Sequence, residues 1–570
     1  MPCFPLLASL WHNGNLRTRD CLLGQFRHTQ SKRDKLDARF PIVWLGLFGD
    51  GEMADIHAEL IFAFVYTVGT DADQVIELLK NYLKQFRYSS HEFRISQHLR
   101  KLNLDISFNP LSAYQEMSAL MDAGNRARKE ATQNDILAVM AVNEIADQRK
   151  NDQPLNRVAQ LIRSLKTPEE VSLLREVYRP GFFLIGIASN DDEQHRYLTK
   201  VKGLSDNEAQ EIVQRDQDER LDYGQRTRDT FYLADVFVEL AERRYEEQLG
   251  RFLDLVFGHP FRTPTREEHA MFMAYASAAR SAQLGRQVGA AISTQEGEVI
   301  AAGFNEVPKS GGGAYWECDP LDARDHVYQE GIDSNFLHRS RIVDSVTSSV
   351  KNDLMTEGNV REVLTKLDPN AIMAEIGEEL AAVQEFLTTE EATKARVHSS
   401  ELKDITEYGR AVHAEMDALL TCARLGIGVK GKRLFTTTFP CHNCTRHIIA
   451  SGISDVTYIE PYPKSRAAAL HSDSVCFDRE EASKTGKIPF LPFVGIGPRR
   501  YLDLFSADLT TGGKVERKDA NAKAFVKERS ARAPRIPMLP LSYIERETKL
   551  LDENEDVLKR LEGNQNVENS

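Results

Sequence analysis

Two short stretches decide how the second half of this chain is read: His413-Ala414-Glu415 and Pro440-Cys441-His442-Asn443-Cys444. Together they spell H-x-E followed by P-C-x-x-C. One imidazole and two thiolates suit Zn2+ and leave its fourth position for water, whose pKa the metal lowers to about 7. His413, Cys441 and Cys444 are therefore the predicted zinc ligands. Glu415 is not a ligand. Two residues past His413, at the start of a predicted helix, it is placed to carry protons between that water and a substrate. Cys441 and Cys444 are three apart and on a helix would share a face. Pro440 fits a helix start, where the dipole favours thiolates. The apolar run Leu434 to Phe439 predicts the strand leading into the site. A lone C-x-x-C would equally fit a structural zinc or two buried thiols. The order of the pieces, the Glu beside the His and the Pro before the first Cys select a catalytic zinc.

Outside this centre, the composition sets the class. The chain has 570 residues, more than one core organises, so two or three domains are expected. It is 41% hydrophobic and 28% charged, as a soluble globular protein would be. A formal net charge of -13 argues against a general nucleic-acid binder, since phosphate binding is largely a cationic effect. Seven cysteines, Cys3, Cys21, Cys318, Cys422, Cys441, Cys444 and Cys476, are too scattered for a disulfide framework, which points to a reducing, cytoplasmic compartment. No apolar run reaches the roughly 20 residues of a membrane span. Phe4 to Trp11 is apolar but short, with no basic residue before it, and is not read as a signal peptide.

Residues 1–40 read as a disordered basic extension. A first α/β domain is expected over 41–257. Strands are predicted at Pro41 to Phe48 and Leu60 to Thr67. The turn Thr67-Val68-Gly69-Thr70-Asp71 follows, then a helix with Val75, Leu78, Leu79, Leu83 and Phe86 on one face. Strand, glycine turn and helix are the setting of a phosphate loop, but no Gly-Lys-Ser/Thr occurs. A buried strand is predicted at Phe182 to Ala188, and charged helix over roughly 205–257. His259-Pro260 and Pro264 mark a boundary. A second domain, 258–535, begins with an amphipathic helix near Glu267 to Gln283. Strands at Val288 to Thr294 and Glu298 to Phe304 and the polar loop Asn305 to Gly313 follow. A helical insertion is expected over about 320–405, a strand at Val456 to Glu460, and a polar, frayed tail over 536–570.

The second half resembles the deoxycytidylate deaminases of the cytidine deaminase superfamily. The matching pieces are Ser281, Val288-Gly289-Ala290, Gly303-Phe304-Asn305, Pro308, the His413 and Cys441 motifs, and Ile448 to Ile453. That resemblance implies a three-layer α/β/α domain and nominates Asn305 as a contact to the nucleoside. Over about 60–505 the chain resembles a narrower group, the bacterial anti-phage dCTP deaminases, in which a P-loop-kinase-like α/β domain precedes the deaminase. The resembling segments are Met121 to Asn125, Ile162 to Lys166, Gly181 to Gly186, Arg226 to Phe231, Glu407 to Glu415 and Tyr458 to Ser465. The chain departs from that group at its phosphate loop. Ala63 and Tyr66 stand where glycines are expected, and a tyrosine takes up space that a phosphate needs. The first domain is thus expected to act as a regulatory scaffold without phosphoryl transfer.

The resemblance implies hydrolytic deamination of dCTP and dCMP to dUTP and dUMP, depletion of deoxycytidine nucleotides against phage, and an inhibitory RNA or other regulator as partner. A homo-oligomer is expected. Lys464 and Arg410 are candidate phosphate ligands. Cys318 with His326 could hold a second zinc or be a plain loop cysteine. The alternatives are a housekeeping dCMP deaminase, which needs fewer residues, a tRNA or single-stranded DNA deaminase, which should be basic and aromatic-rich, and a non-catalytic regulator, which intact Glu415 disfavours.

Overall fold

The computed structural model describes residues 59–356 and 408–563, apart from 109–111, 150–152, 218, 220, 241–243, 463–464, 509–513 and 536–539. All of these lie in the larger of two compact units, His57–Ser570. The basic extension, the predicted strand Pro41 to Phe48, most of the predicted insertion and Lys464 fall outside the described residues.

The fold is mixed α/β with two parallel-rich six-stranded sheets. The first contains β1 (Leu60–Val65), β2 (Ser89–Arg94), β3 (Val158–Arg163), β4 (Phe182–Ala188) and β5 (Val236–Glu239). Its order is β12-β5-β4-β1-β3-β2, where β12 (Gly495–Ile496) comes from far along the chain and pairs antiparallel with β5. The second contains β6 (Gly289–Ser293), β7 (Val299–Phe304), β8 (Arg433–Thr438), β9 (Asp455–Glu460), β10 (Val475–Cys476) and β11 (Ile488–Pro492), in the order β10-β11-β9-β8-β6-β7. β8, β9, β11 and β10 run parallel, and β6 pairs antiparallel with both β7 and β8.

Alternation along the strands explains the layers. In β1, Leu60, Phe62 and Phe64 face one core and Ile61, Ala63 and Val65 the other. A strand buried on both faces needs this unbroken apolar run, and each fully buried large side chain contributes about 1.5–3 kcal/mol. Helix α1 (Ala72–Gln85) covers the first face with Val75, Ile76, Leu79 and Leu83. α2 (Ile136–Asp147) and α3 (Pro168–Tyr178) belong to the second core. β6 divides likewise: Ala290 and Ile292 face one core, Ala291 the other.

That other core is shared. Ile61, Ala63 and Val65 of the first sheet lie in one continuous cluster with Ala291 and Phe435 of the second, bridged by Ala270, Met271 and Ala274 of α5 (Arg266–Ala278). Thr265 and Glu268 form a capping box at the start of α5. Glu268 also accepts Ile496 N at 2.8 Å, fastening β12 to that helix. β6 and β7 lie hard against helices. A Cβ on Gly289 would stand 1.9 Å from Ala274 O, and one on Gly303 would stand 2.3 Å from Ala414 O.

The structure corrects three expectations. The stretch 205–257 is not all helix: α4 (Asp206–Gln217) and a later helix, Tyr245–Val256, flank β5, a strand too short to show a period. The boundary near 257 is a crossing point and no more, because residues 493–496 and 540–561 return to the first sheet's side. The expected frayed tail holds a 22-residue helix, Pro540–Leu561, with Tyr543, Ile544, Leu558 and Leu561 buried. Of the helical insertion, α6 (Ser334–Thr356) is described.

Candidate metal centre and its surroundings

Two helix starts converge beside the second sheet. His413 is the N-cap of α7 (Ala414–Leu425), and Cys441 is the N-cap of α8 (His442–Ser451), which follows β8. Both helices end on a left-handed glycine, Gly426 and Gly452. The cysteines therefore do not share one helical face as expected. Cys441 stands in extended backbone before the helix, and Cys444 lies in its first turn. Pro440 precedes the cap, where its carbonyl accepts Ser465 Oγ at 2.8 Å.

His413 Nδ1 lies 3.3 Å from Cys441 Sγ and 3.4 Å from Cys444 Sγ. The three ligand atoms lie within 4.8 Å of one another, the one such group among the described residues. Tetrahedral zinc with ordinary Zn–S and Zn–N bonds would separate S from N by about 3.5 Å. The spacing and the donor types both fit that ion. Cys318 is exposed and joins no such group among the described residues.

Glu415 sits in the first turn of α7, buried, with Oε2 3.4 Å from Cys444 Sγ. Burial raises its pKa above the ordinary carboxylate value. Hydrogen bonding from Cys444, then from His413, pulls the Cys441 thiol down to about 4. The same hydrogen bond to Cys441, with burial, raises the Cys444 thiol. A site that already favours a thiolate is prepared for a soft cation.

The remaining predicted residues are placed as follows. Asn305 follows β7 and spends both ends of its amide on the chain opposite: Oδ1 accepts Val288 N at 2.7 Å, and Nδ2 donates to Arg286 O at 2.8 Å. Arg410 pairs with buried Asp325 at 3.1 Å, and its guanidinium lies over Tyr328 at 3.8 Å. It is thus held against residues 325–328, committed to a carboxylate.

Sequence reading missed several residues here. Glu306, 1% exposed, accepts Ala282 N at 2.9 Å and Gln283 Nε2 at 3.0 Å. Asp417 receives Phe304 N at 3.3 Å. Arg280 is sandwiched between Phe304 and Trp316, at 3.8 and 3.0 Å from the ring centres. Single charged residues carry no sequence signal that separates a buried tie from a solvated charge.

The loop Thr67 to Asp71 connects β1 to α1, in the setting expected for it. A buried acid of the fold meets this loop. Asp216 of α4, fully buried, accepts Val68 N at 2.8 Å through Oδ2. Its Oδ1 accepts Lys166 Nζ at 2.8 Å and Thr227 Oγ1 at 3.3 Å. Lys166 also donates to Tyr66 O at 3.0 Å. Gly69 has φ 87°, and Thr70 N closes the turn on Thr67 O at 3.2 Å. A lysine from beyond β3 thus reaches the loop and is already paired with a carboxylate.

Residues 264–460 match the family model described as the cytidine and deoxycytidylate deaminase zinc-binding region. The second half of the chain carries that region. Among curated proteins, the ComE operon protein 2 of Bacillus subtilis is 42% identical over 53 residues, 9% of this chain and 28% of that one. A probable deoxycytidylate deaminase of Drosophila melanogaster is 43% identical over 122 residues, 20% of this chain and 58% of that one. The chain thus spans between about a quarter and three fifths of the length of these relatives. Among solved structures, the apo dCMP deaminase of cyanophage S-TIM5 aligns at 15% identity and TM-score 0.19, covering 41% of this chain and all of that one. The deaminase region encloses the His413, Cys441 and Cys444 cluster, Glu415 and Asn305. No helix of the described residues is long and apolar enough to cross a membrane.

Proposed function

We propose that the chain deaminates deoxycytidine nucleotides by hydrolysis, converting dCTP and dCMP to dUTP and dUMP with release of ammonia. The observation that carries this reading is the buried Glu415 carboxylate beside the His413–Cys441–Cys444 cluster, inside the matched deaminase region. Zinc held by those three residues would supply the Lewis acid that makes water ionisable at neutral pH. Glu415 accepts the proton from the water that adds to C4 of the cytosine. It delivers that proton to the ring nitrogen, takes the second from the C4 hydroxyl of the adduct, and passes it to the amino group as the C4–N bond breaks and ammonia leaves. Burial keeps the carboxylate free of competing water.

The matched relatives named as deoxycytidylate deaminases support the monophosphate; the resemblance to anti-phage dCTP deaminases supports the triphosphate and a role in depleting deoxycytidine nucleotides during infection. On this reading the protein works in the cytoplasm as a homo-oligomer, and the first sheet's side takes an inhibitory RNA or another regulator in place of phosphoryl transfer. Asp216 supports the second part, since it meets the loop that phosphates would need.

Turnover of dCTP and dCMP by the zinc-loaded protein tests the assignment directly. Glu415→Ala should keep one zinc per chain and lose more than about 10^4-fold in kcat, because one group serves several proton transfers. Appreciable turnover by a folded, zinc-loaded Glu415→Ala protein would refute the role given to that residue.

A further inference from the structure

Away from the zinc centre, a cavity of about 820 Å3 opens between the first sheet's side and α5. This is ample for a small-molecule ligand. One wall is cationic: Arg175 near the end of α3, Arg179 just beyond it, and Arg499 and Arg500 after β12. Phe272 and Tyr275 of α5 add aromatic lining.

The cationic wall is built on a buried support. Asp235, 1% exposed, accepts Leu184 N at 2.9 Å through Oδ2. Its Oδ1 accepts Arg175 at 3.0 Å and lies 3.4 Å from Arg500 Nε. Arg500 is fixed further by Asp503 at 3.1 Å. These two guanidinium groups are anchored. Arg179 and Arg499 are exposed and make no ion pair among the described residues. Arg179 also has φ 45°, a left-handed conformation that costs an L-residue energy and that recurs at ligand-holding positions. Burial lowers the Arg175 pKa, and the charges of Arg499 and Arg500 oppose the Asp235 support. Four cations are thus gathered against Glu176, Asp235 and Asp503, in a chain whose net charge is -13. Asp235 and Asp503 are taken up by Arg175 and Arg500, which leaves the charges of Arg179 and Arg499 to face the cavity. The aromatic lining is rigid as well: the Phe272 ring is stacked on Tyr501, with centroids 4.0 Å apart and planes 5° from parallel.

We propose that this cavity binds a nucleoside polyphosphate, with its phosphates on Arg179 and Arg499 and its base against Phe272 and Tyr275. Fork-shaped guanidinium groups match phosphate oxygens, and flat rings accept any base by stacking. The site is distinct from the zinc centre and its existence does not depend on the reaction proposed there. It does adjoin the deaminase region. Tyr275 and Arg499 also line a second cavity of about 360 Å3 that reaches Gln287, Thr437 and Glu460. Thr437 Oγ1 accepts Gly289 N at 3.1 Å, and Gln287 lies in the loop that Asn305 ties.

Isothermal titration of the full-length, zinc-loaded chain with ATP, GTP and dTTP tests the proposal, with inorganic tripolyphosphate and adenosine as controls. At least one nucleotide should bind saturably, and at least tenfold more tightly than either control. The double exchange Arg179→Glu with Arg499→Glu should weaken that binding at least tenfold, since a hydrogen bond to a charged group contributes about 1.5–3 kcal/mol. The milder Arg499→Gln should weaken it about threefold or more, and Tyr275→Ala should bring the nucleotide down towards tripolyphosphate. Both arginines are at the surface, so the fold should survive the exchanges. Absence of saturable binding, equal affinity for tripolyphosphate, or unchanged affinity in the arginine variants would each overturn the assignment. The last result would move the ligand elsewhere, for instance to the loop at Thr67 to Asp71.

Discussion

Asn305 and Glu306 divide one task between them. Asn305 ties the end of β7 to Arg286 and Val288, and Glu306 ties the same end to Ala282 and Gln283. Between them, two neighbouring side chains hold residues 281–288 against the second sheet. Asn305→Ala leaves a backbone N–H and a carbonyl without these partners, at about 1–3 kcal/mol of local stability. The expected outcome is a fall of about tenfold in kcat/KM for dCMP with zinc still at one per chain, checked by steady-state kinetics and metal analysis. Unchanged kinetics would mean that Asn305 shapes a loop of no consequence for substrate. The sequence exposed this site unevenly. His413, Glu415, Cys441 and Cys444 are legible because metal chemistry fixes both their types and their order. Glu306 and Asp216 are not, because a lone acid in a polar stretch looks like any solvated charge until the fold buries it.

Elements that bury only a thin stripe are the ones the sequence hides. The helix Pro540–Leu561 is acidic and polar by composition, yet Tyr543, Ile544, Leu558 and Leu561 are buried, with Leu550, Leu551 and Val557 beside them. A buried ionic tie holds it in place. Arg149 Nε meets Glu59 at 2.9 Å, and its other nitrogens reach both oxygens of Glu547. Tyr543 donates to Glu59 at 2.8 Å. Removing Glu547 takes away both of its contacts to Arg149 and leaves that guanidinium with Glu59 alone, which costs about 1.5–3 kcal/mol. Glu547→Ala should therefore lower the free energy of unfolding by that amount in urea titrations. Glu555→Ala, whose partner Lys559 is exposed, should change it by less than about 0.5 kcal/mol. Equal effects would show that the buried pair contributes no more than a surface one. Strands with long apolar runs, β1 and β4, were readable from end to end. β5 and β12, four and two residues long, were not.

At the scale of the whole molecule, the two sheets do not form separable bodies. One core joins Ile61 and Leu184 of the first sheet to Met271 of α5 and to Ala291 and Phe435 of the second sheet, and Phe237 meets Phe493 edge to face at 5.8 Å. Residues 258–570 expressed alone would expose the α5 side of that core and leave β12 without β5. They are expected to lack a cooperative urea transition and to bind a hydrophobic dye, whereas the full chain unfolds cooperatively and does not. A sharp transition in the fragment would show that residues 258–570 are self-sufficient. The break in motifs near residue 260 was legible in the sequence. The sharing was not, because it depends on which distant residues return to an edge.

The return of β12 and of the helix Pro540–Leu561 to the first sheet's side also sets a schedule. On the ribosome, β1 to β5 emerge first, but their edge and their last covering helix are about 300 residues away. At roughly 5–20 residues per second, some 15–60 s pass before those pieces arrive. The zinc ligands emerge within that interval. Nascent chains therefore carry the parts of the metal centre before the first sheet is closed, with an open strand edge exposed in the meantime.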